Sequence, residues 1–101
     1  MESETFGEFV RRVRESAGLP LRKLAAALDI DQSTLSKIER NERQLTADLL
    51  EPLSKALNLD YKKTRVKFLS DKITSELYPE PDSLEVLKVA EKKIKYLKAH
   101  Q

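Results

Sequence analysis

Cysteine is absent from this chain of 101 residues, which excludes a disulfide framework, a thiolate nucleophile and a cysteine-based zinc finger. Glycine occurs only twice, and clusters of proline, serine and asparagine are few. Tight β-hairpins need such residues at their turns, so a β-rich fold is disfavoured. No apolar run is long enough to span a bilayer. The first twenty residues hold Arg11, Arg12 and Arg14 in an amphipathic pattern instead of the apolar block of a signal peptide, and a soluble cytoplasmic protein is expected. The only histidine, His100, lies beside the C-terminus. Without a second imidazole or a thiolate there is no metal-ligand spacing, and no glycine-rich phosphate loop occurs. The expectation is a protein that is not an enzyme and needs no cofactor, metal or small-molecule ligand.

What remains is a charged, moderately apolar chain. Hydrophobic residues make up 40%, enough for a small core, and the length suits one compact domain or one domain with an appendage. The net charge of +2 says little about partners, because residues 1–45 carry eight basic and eight acidic side chains. Any affinity for nucleic acid must come from local clustering of charge.

The chain is organised around residues 21–41, LRKLAAALDIDQSTLSKIERN. Leu24, Ala25 and Leu28 repeat at helical spacing, stop at Asp29, and the pattern restarts at Leu35 and Ile38. Asp29 tolerates the left-handed backbone that a tight reversal needs. Asp31 is placed to cap the second helix with its carboxylate, and Ala25 is small enough for two helices to cross closely. The reading is a helix-turn-helix with Gln32, Ser33, Ser36, Lys37 and Arg40 facing outward.

Gly18, Leu19, Leu24, Ala25, Ile30, the run Gln32 to Asn41 and Arg43 resemble the lambda-repressor-like (Cro, xenobiotic-response-element) DNA-binding family over residues 6–60. The family often has glycine where Asp29 and Asn41 stand, and both residues accept the left-handed conformation. It usually has Ser or Thr followed by Gln where this chain has Pro20 and Leu21, so a side-chain phosphate contact made in relatives is expected to be missing. The resemblance implies that Arg14 pairs with Glu39, against the alternative of two solvated charges. It also implies a recognition helix in the major groove of double-stranded DNA. There Gln32 suits adenine, Lys37 suits guanine, and Ser33 and Ser36 suit bases or phosphates. Arg40, Asn41 and Arg43 are expected at phosphates, and Thr34 is open between packing and phosphate.

The rest of the chain also reads as helix. Met1 to Glu4 is expected to fray, and Thr5 to cap a first helix with Phe6, Phe9, Val10 and Val13 on its apolar face. Thr46 should cap a fourth helix, buried through Leu49, Leu50, Leu53 and Leu57 and slightly kinked at Pro52. Asp60 should cap a fifth helix over 61–78, with Val66, Leu69, Ile73 and Leu77 inward and Tyr61 and Phe68 broadening that face. The basic residues Lys62, Lys63, Arg65 and Lys67 read as a solvated face. Pro79 and Pro81 stop it. Asp82 or Ser83 should cap a sixth helix whose Leu84, Leu87, Ala90, Ile94 and Leu97 are too apolar to lie free in water. The expected architecture is all-α: a five-helix lambda-repressor-like domain with an added C-terminal helix forming a helical hairpin. Residues 1–60 are the DNA-binding part and 61–101 a dimerisation element. The expected function is a homodimeric, sequence-specific transcriptional regulator on an inverted-repeat operator, in a narrower version one that controls restriction–modification genes. The competing readings are an antitoxin-like or a coactivator module that acts through its C-terminal helices.

Overall fold

The computed structural model describes residues 3–101, and every regular element among them is helical. The order is α1 (Phe6–Ser16), α2 (Leu21–Ala27), α3 (Gln32–Glu39), α4 (Leu50–Ala56), α5 (Tyr61–Leu77) and α6 (Ser83–Ala99), with a 3₁₀ turn at Ala47–Leu49 before α4. The chain divides into two compact units, Met1–Asp71 and Lys72–Gln101, with the division inside α5.

In the first unit, α3 packs against α1 and α2, and α2 against α4. Thr5 starts α1 with a reciprocal cap: its hydroxyl accepts from the Glu8 amide (3.1 Å), and the Glu8 carboxylate accepts from the Thr5 amide (3.0 Å). The core joins Phe6, Phe9 and Val10 of α1 to Leu24, Ala25, Leu28, Leu35, Ile38, Leu45, Leu50, Leu53 and Leu57. Phe68 of α5 closes it, meeting Phe6 edge to face with centroids 5.3 Å apart.

One terminal device recurs. The first four helices all end on a left-handed residue: Gly18 (φ 67°), Asp29 (55°), Asn41 (62°) and Asn58 (53°). The next amide then reaches back to the carbonyl five residues earlier: Leu19 to Arg14 (3.1 Å), Ile30 to Ala25 (3.0 Å), Glu42 to Lys37 (2.8 Å) and Leu59 to Ser54 (2.8 Å). This is the Schellman closure, in which a left-handed turn satisfies carbonyls that a helix end leaves open. Leu19, Ile30 and Leu59 follow the turn and pack onto the core. At α3 the corresponding residue is the exposed Glu42, so α3 ends without that apolar latch.

Several sequence expectations are corrected. Asp31, Thr46 and Asp82 do stand at helix starts, yet none of their side chains makes a capping hydrogen bond. Asp60 does, accepting from the Lys63 amide at 2.9 Å. Pro52 lies in the first turn of α4, where an amide is unpaired anyway, because residues 47–49 form the 3₁₀ turn and the α-helix starts only at Leu50. On α5 the buried residues are Thr64 and Phe68, while Val66, Leu69 and Ile73 are exposed. Thr64 reads as polar in sequence but fits the core because its hydroxyl donates to the Asp60 carbonyl at 2.8 Å. At the N-terminus, Met1 and Glu2 lie outside the described residues. Glu4 is not frayed, since its carboxylate accepts from Arg12 at 2.8 and 3.1 Å.

In the second unit, the end of α5 and α6 line a cleft of about 600 Å³ between Ile73, Glu76 and Leu77 on one side and Leu87, Ala90, Glu91, Ile94 and Lys95 on the other. Leu84, Val86, Val89, Ile94, Tyr96 and Leu97 of α6 are exposed. None of the described helices is long and apolar enough to cross a membrane.

Candidate nucleic-acid interface

The helical repeat sorts α3 into an inner and an outer face. Leu35, Ile38 and Glu39 are buried, which turns the opposite rows outward. Gln32, Ser36 and Arg40 fall in one row at four-residue spacing, and Ser33 and Lys37 in the row beside it. Gln32, Ser33, Lys37 and Arg40 are exposed, Ser36 and Thr34 half-buried, and Asn41 and Arg43 exposed in the turn beyond. Of the seven sequence-selected residues, Gln32, Ser33, Ser36 and Lys37 thus lie on the outward rows of α3, and Arg40, Asn41 and Arg43 follow at and beyond its end. With Asp31 making no cap, the first-turn amides of α3 receive no side-chain cap among the described residues.

The face is not uniformly basic. Arg40 pairs with Glu42 at 3.2 Å, both side chains about half exposed. Lys37 and Arg43 have no ion-pair partner among the described residues. Asp29 and Asp31 lie just ahead of the helix. The charges able to meet a polyanion are thus few and local, as the even balance of residues 1–45 requires.

Behind this face, Arg14 of α1 holds the last residue of α3. Its Nε donates to Glu39 Oε2 at 2.7 Å and its Nη2 to Oε1 at 3.0 Å, a two-pronged pair, while Nη1 donates to the Leu19 carbonyl at 3.0 Å. The side chains are only 11% and 4% exposed. Glu39 beside it holds the guanidinium above its already high usual pKa. The pairing implied by the family resemblance is present. Leu21 is half-buried against the core.

Two features of this region were not picked out from sequence. One is the Arg40–Glu42 pair, which only the closing turn of α3 creates. The other is Gly7, buried in α1 where that helix meets the end of α3. A Cβ there would overlap the Ile38 carbonyl oxygen and stand 3.2 Å from that of Glu39. Its signal was a glycine inside an otherwise regular amphipathic helix.

Comparisons with known proteins point to the helix-turn-helix class. An HTH-type transcriptional regulator of Mycobacterium tuberculosis, itself uncharacterised, is 38% identical over 53 residues, which make up 52% of this chain and 38% of that protein. The chain thus matches well under half the length of that curated relative. The clp gene regulator ClgR of Corynebacterium glutamicum superposes with a TM-score of 0.56 at 26% identity, over 69% of this chain and 91% of ClgR. A chain of the SinR–SinI protein complex shares the fold, with a TM-score of 0.52 at 22% identity over 91% of this chain and 99% of that one. The helix-turn-helix family model matches residues 10–63, more than half of the sequence. This chain is therefore a member of the Cro/C1-type helix-turn-helix family of DNA-binding transcriptional regulators.

Proposed function

We propose that this chain regulates transcription as a cytoplasmic homodimer that reads an inverted-repeat operator, with α3 in the major groove of each half-site. The observation that carries this reading is the outward face of α3, where Gln32, Ser33, Ser36 and Lys37 lie together and Arg40, Asn41 and Arg43 follow at its end. The amide of Gln32 at the helix start, the short serines and Lys37 within the helix suit base edges, while the cations at the helix end suit the passing phosphates. The dimer reading is supported by the exposed apolar residues of α6, among them Leu84 (74%), Leu97 (63%) and Ile94 (54%), which fall within the expected dimerisation element 61–101. Control of restriction–modification genes is a narrower version of the same proposal.

Lys37→Ala should cost roughly 1–3 kcal/mol on the true site and little on scrambled DNA, because a base contact carries sequence information. Arg43→Ala should weaken every duplex about equally and lower the salt slope by about one. Equal weakening of both duplexes by Lys37→Ala overturns the base-reading role. For the dimer, light scattering should show two copies at micromolar concentration and one after truncation beyond Asp71, a point chosen because Thr64 and Phe68 belong to the core of the first unit. A monomeric full-length chain rejects it.

A second reading has α6 engaging a different protein, antitoxin-like or as a coactivator. It is favoured by the same exposed apolar residues and by the fold likeness to a chain from a two-protein complex. A full-length monomer that selects no DNA sequence would move the conclusion to this reading.

A further inference from the structure

We infer that Gly7 is a positioning residue for DNA recognition: the bare backbone of α1 acts as a stop against the C-terminal carbonyls of α3 and sets the pose of its reading face. This rests on the proposal that α3 reads bases.

The argument begins with what the Ile38 carbonyl does. It accepts from the Asn41 amide at 3.1 Å, and so forms part of the left-handed closure that ends α3. The neighbouring bond, Glu42 to Lys37 at 2.8 Å, completes the same turn. The turn carries Arg40 and Asn41 and leads directly into Arg43. A Cβ on Gly7 would overlap the Ile38 oxygen and approach the Ile38 carbonyl carbon to 3.1 Å and the Glu39 oxygen to 3.2 Å. All three are backbone atoms, and the Ile38 oxygen is held in a hydrogen bond, so no side chain can rotate away to make room. The relief is separation of α1 from the end of α3.

The other hold of α1 on α3 acts at nearly the same place. Arg14 grips the Glu39 carboxylate while the Gly7 backbone meets the Ile38 and Glu39 carbonyls. One contact pulls the end of α3 inward and the other limits how far it comes. A displacement there passes straight to the exposed side chains one turn earlier. The end of α3 depends on this arrangement more than α1, α2 and α4 do on theirs, since Glu42 replaces the apolar residue that latches those ends to the core.

The test uses the full chain, a duplex that it selects from a random pool, and a scrambled duplex of the same composition. Gly7→Ala, under conditions where circular dichroism shows it folded, should lower the ratio of selected to scrambled affinity by roughly tenfold. Phe9→Leu, a core change on the same helix, should lower Tm but keep the ratio. Amide exchange supplies an arm that needs no variant: in the unaltered chain the Asn41 and Glu42 amides should exchange only as slowly as the core of the first unit. Fast local exchange at those two amides overturns the inference, and so does a Gly7→Ala protein that keeps the ratio. Lys37→Ala in the same assay separates the two levels. If it too keeps the ratio, the base-reading proposal has failed; if it loses the ratio while Gly7→Ala keeps it, only the inference about Gly7 has failed.

Discussion

Replacing Glu39 with alanine leaves the Arg14 guanidinium in a site where its side chain is only 11% exposed, with the Leu19 carbonyl as its one remaining acceptor among the described residues. Removing one member of a buried ion pair costs about 3–5 kcal/mol, because the survivor keeps its desolvation penalty without its partner. Arg14 retains some access to solvent, so the lower end applies, and Glu39→Ala should destabilise by about 3 kcal/mol. Arg14→Ala strands a carboxylate that is only 4% exposed and removes the donor to Leu19, and a similar loss of about 3 kcal/mol is expected. The double alanine variant strands no charge. It loses packing, the two bonds of the pair and the bond to the Leu19 carbonyl, for a total again near 3 kcal/mol and a coupling on the order of 3 kcal/mol. Glu39 raises the pKa of Arg14 further, so the cation does not titrate near neutrality and the coupling should persist there. Urea unfolding followed by circular dichroism gives the free energy at all four corners, and in thermal melts each single variant should lose roughly 10–20 °C in Tm. Additive losses would refute the reasoning, as they would mean that the paired geometry contributes nothing beyond two independent side chains.

Ser54 is buried in α4, and its hydroxyl has no hydrogen-bond partner among the described residues; Ser54→Ala should raise stability by about 0.5–1 kcal/mol in the same assay. Asp60→Ala removes the side-chain acceptor at the start of α5 and should cost about 1 kcal/mol, a loss that Asp60→Asn should largely avoid. The Arg12 guanidinium holds the Glu4 carboxyl below its ordinary value of 4.5, so this pair stabilises the fold above that pH and its contribution is lost as pH falls through the lowered folded value. Glu4→Gln should therefore lower Tm slightly at neutral pH, and thermal melts of the two proteins should converge in acid.

The central part of the fold was readable because periodicity and turn chemistry pointed the same way. Leu24, Ala25, Leu28, Leu35 and Ile38 announced two helices, and Asp29 and Asn41 announced the left-handed turns that close them. Side-chain type alone misled where a neighbour decided the outcome. Thr64 is buried because a carbonyl one turn back takes its hydroxyl proton, whereas the more apolar Val66 is 56% exposed. Asp31 has the right residue type and place for a cap without making one, which no single-residue preference can reveal. At the candidate site the outward residues followed from helical spacing. The Arg40–Glu42 pair and the approach of Gly7 did not, since each depends on how the end of α3 is folded in space.

The left-handed closures also govern how this sequence can drift. At Asp29, Asn41 and Asn58 the backbone angle sets the choice of residue, so glycine, asparagine and aspartate form a small interchangeable set there. A β-branched residue at any of the three would be expelled, however exposed the position. Because the closures lie in separate turns, each can change within that set while the others stay fixed. Homologous chains can therefore diverge freely on their outer surfaces and still be traced by where their helices stop.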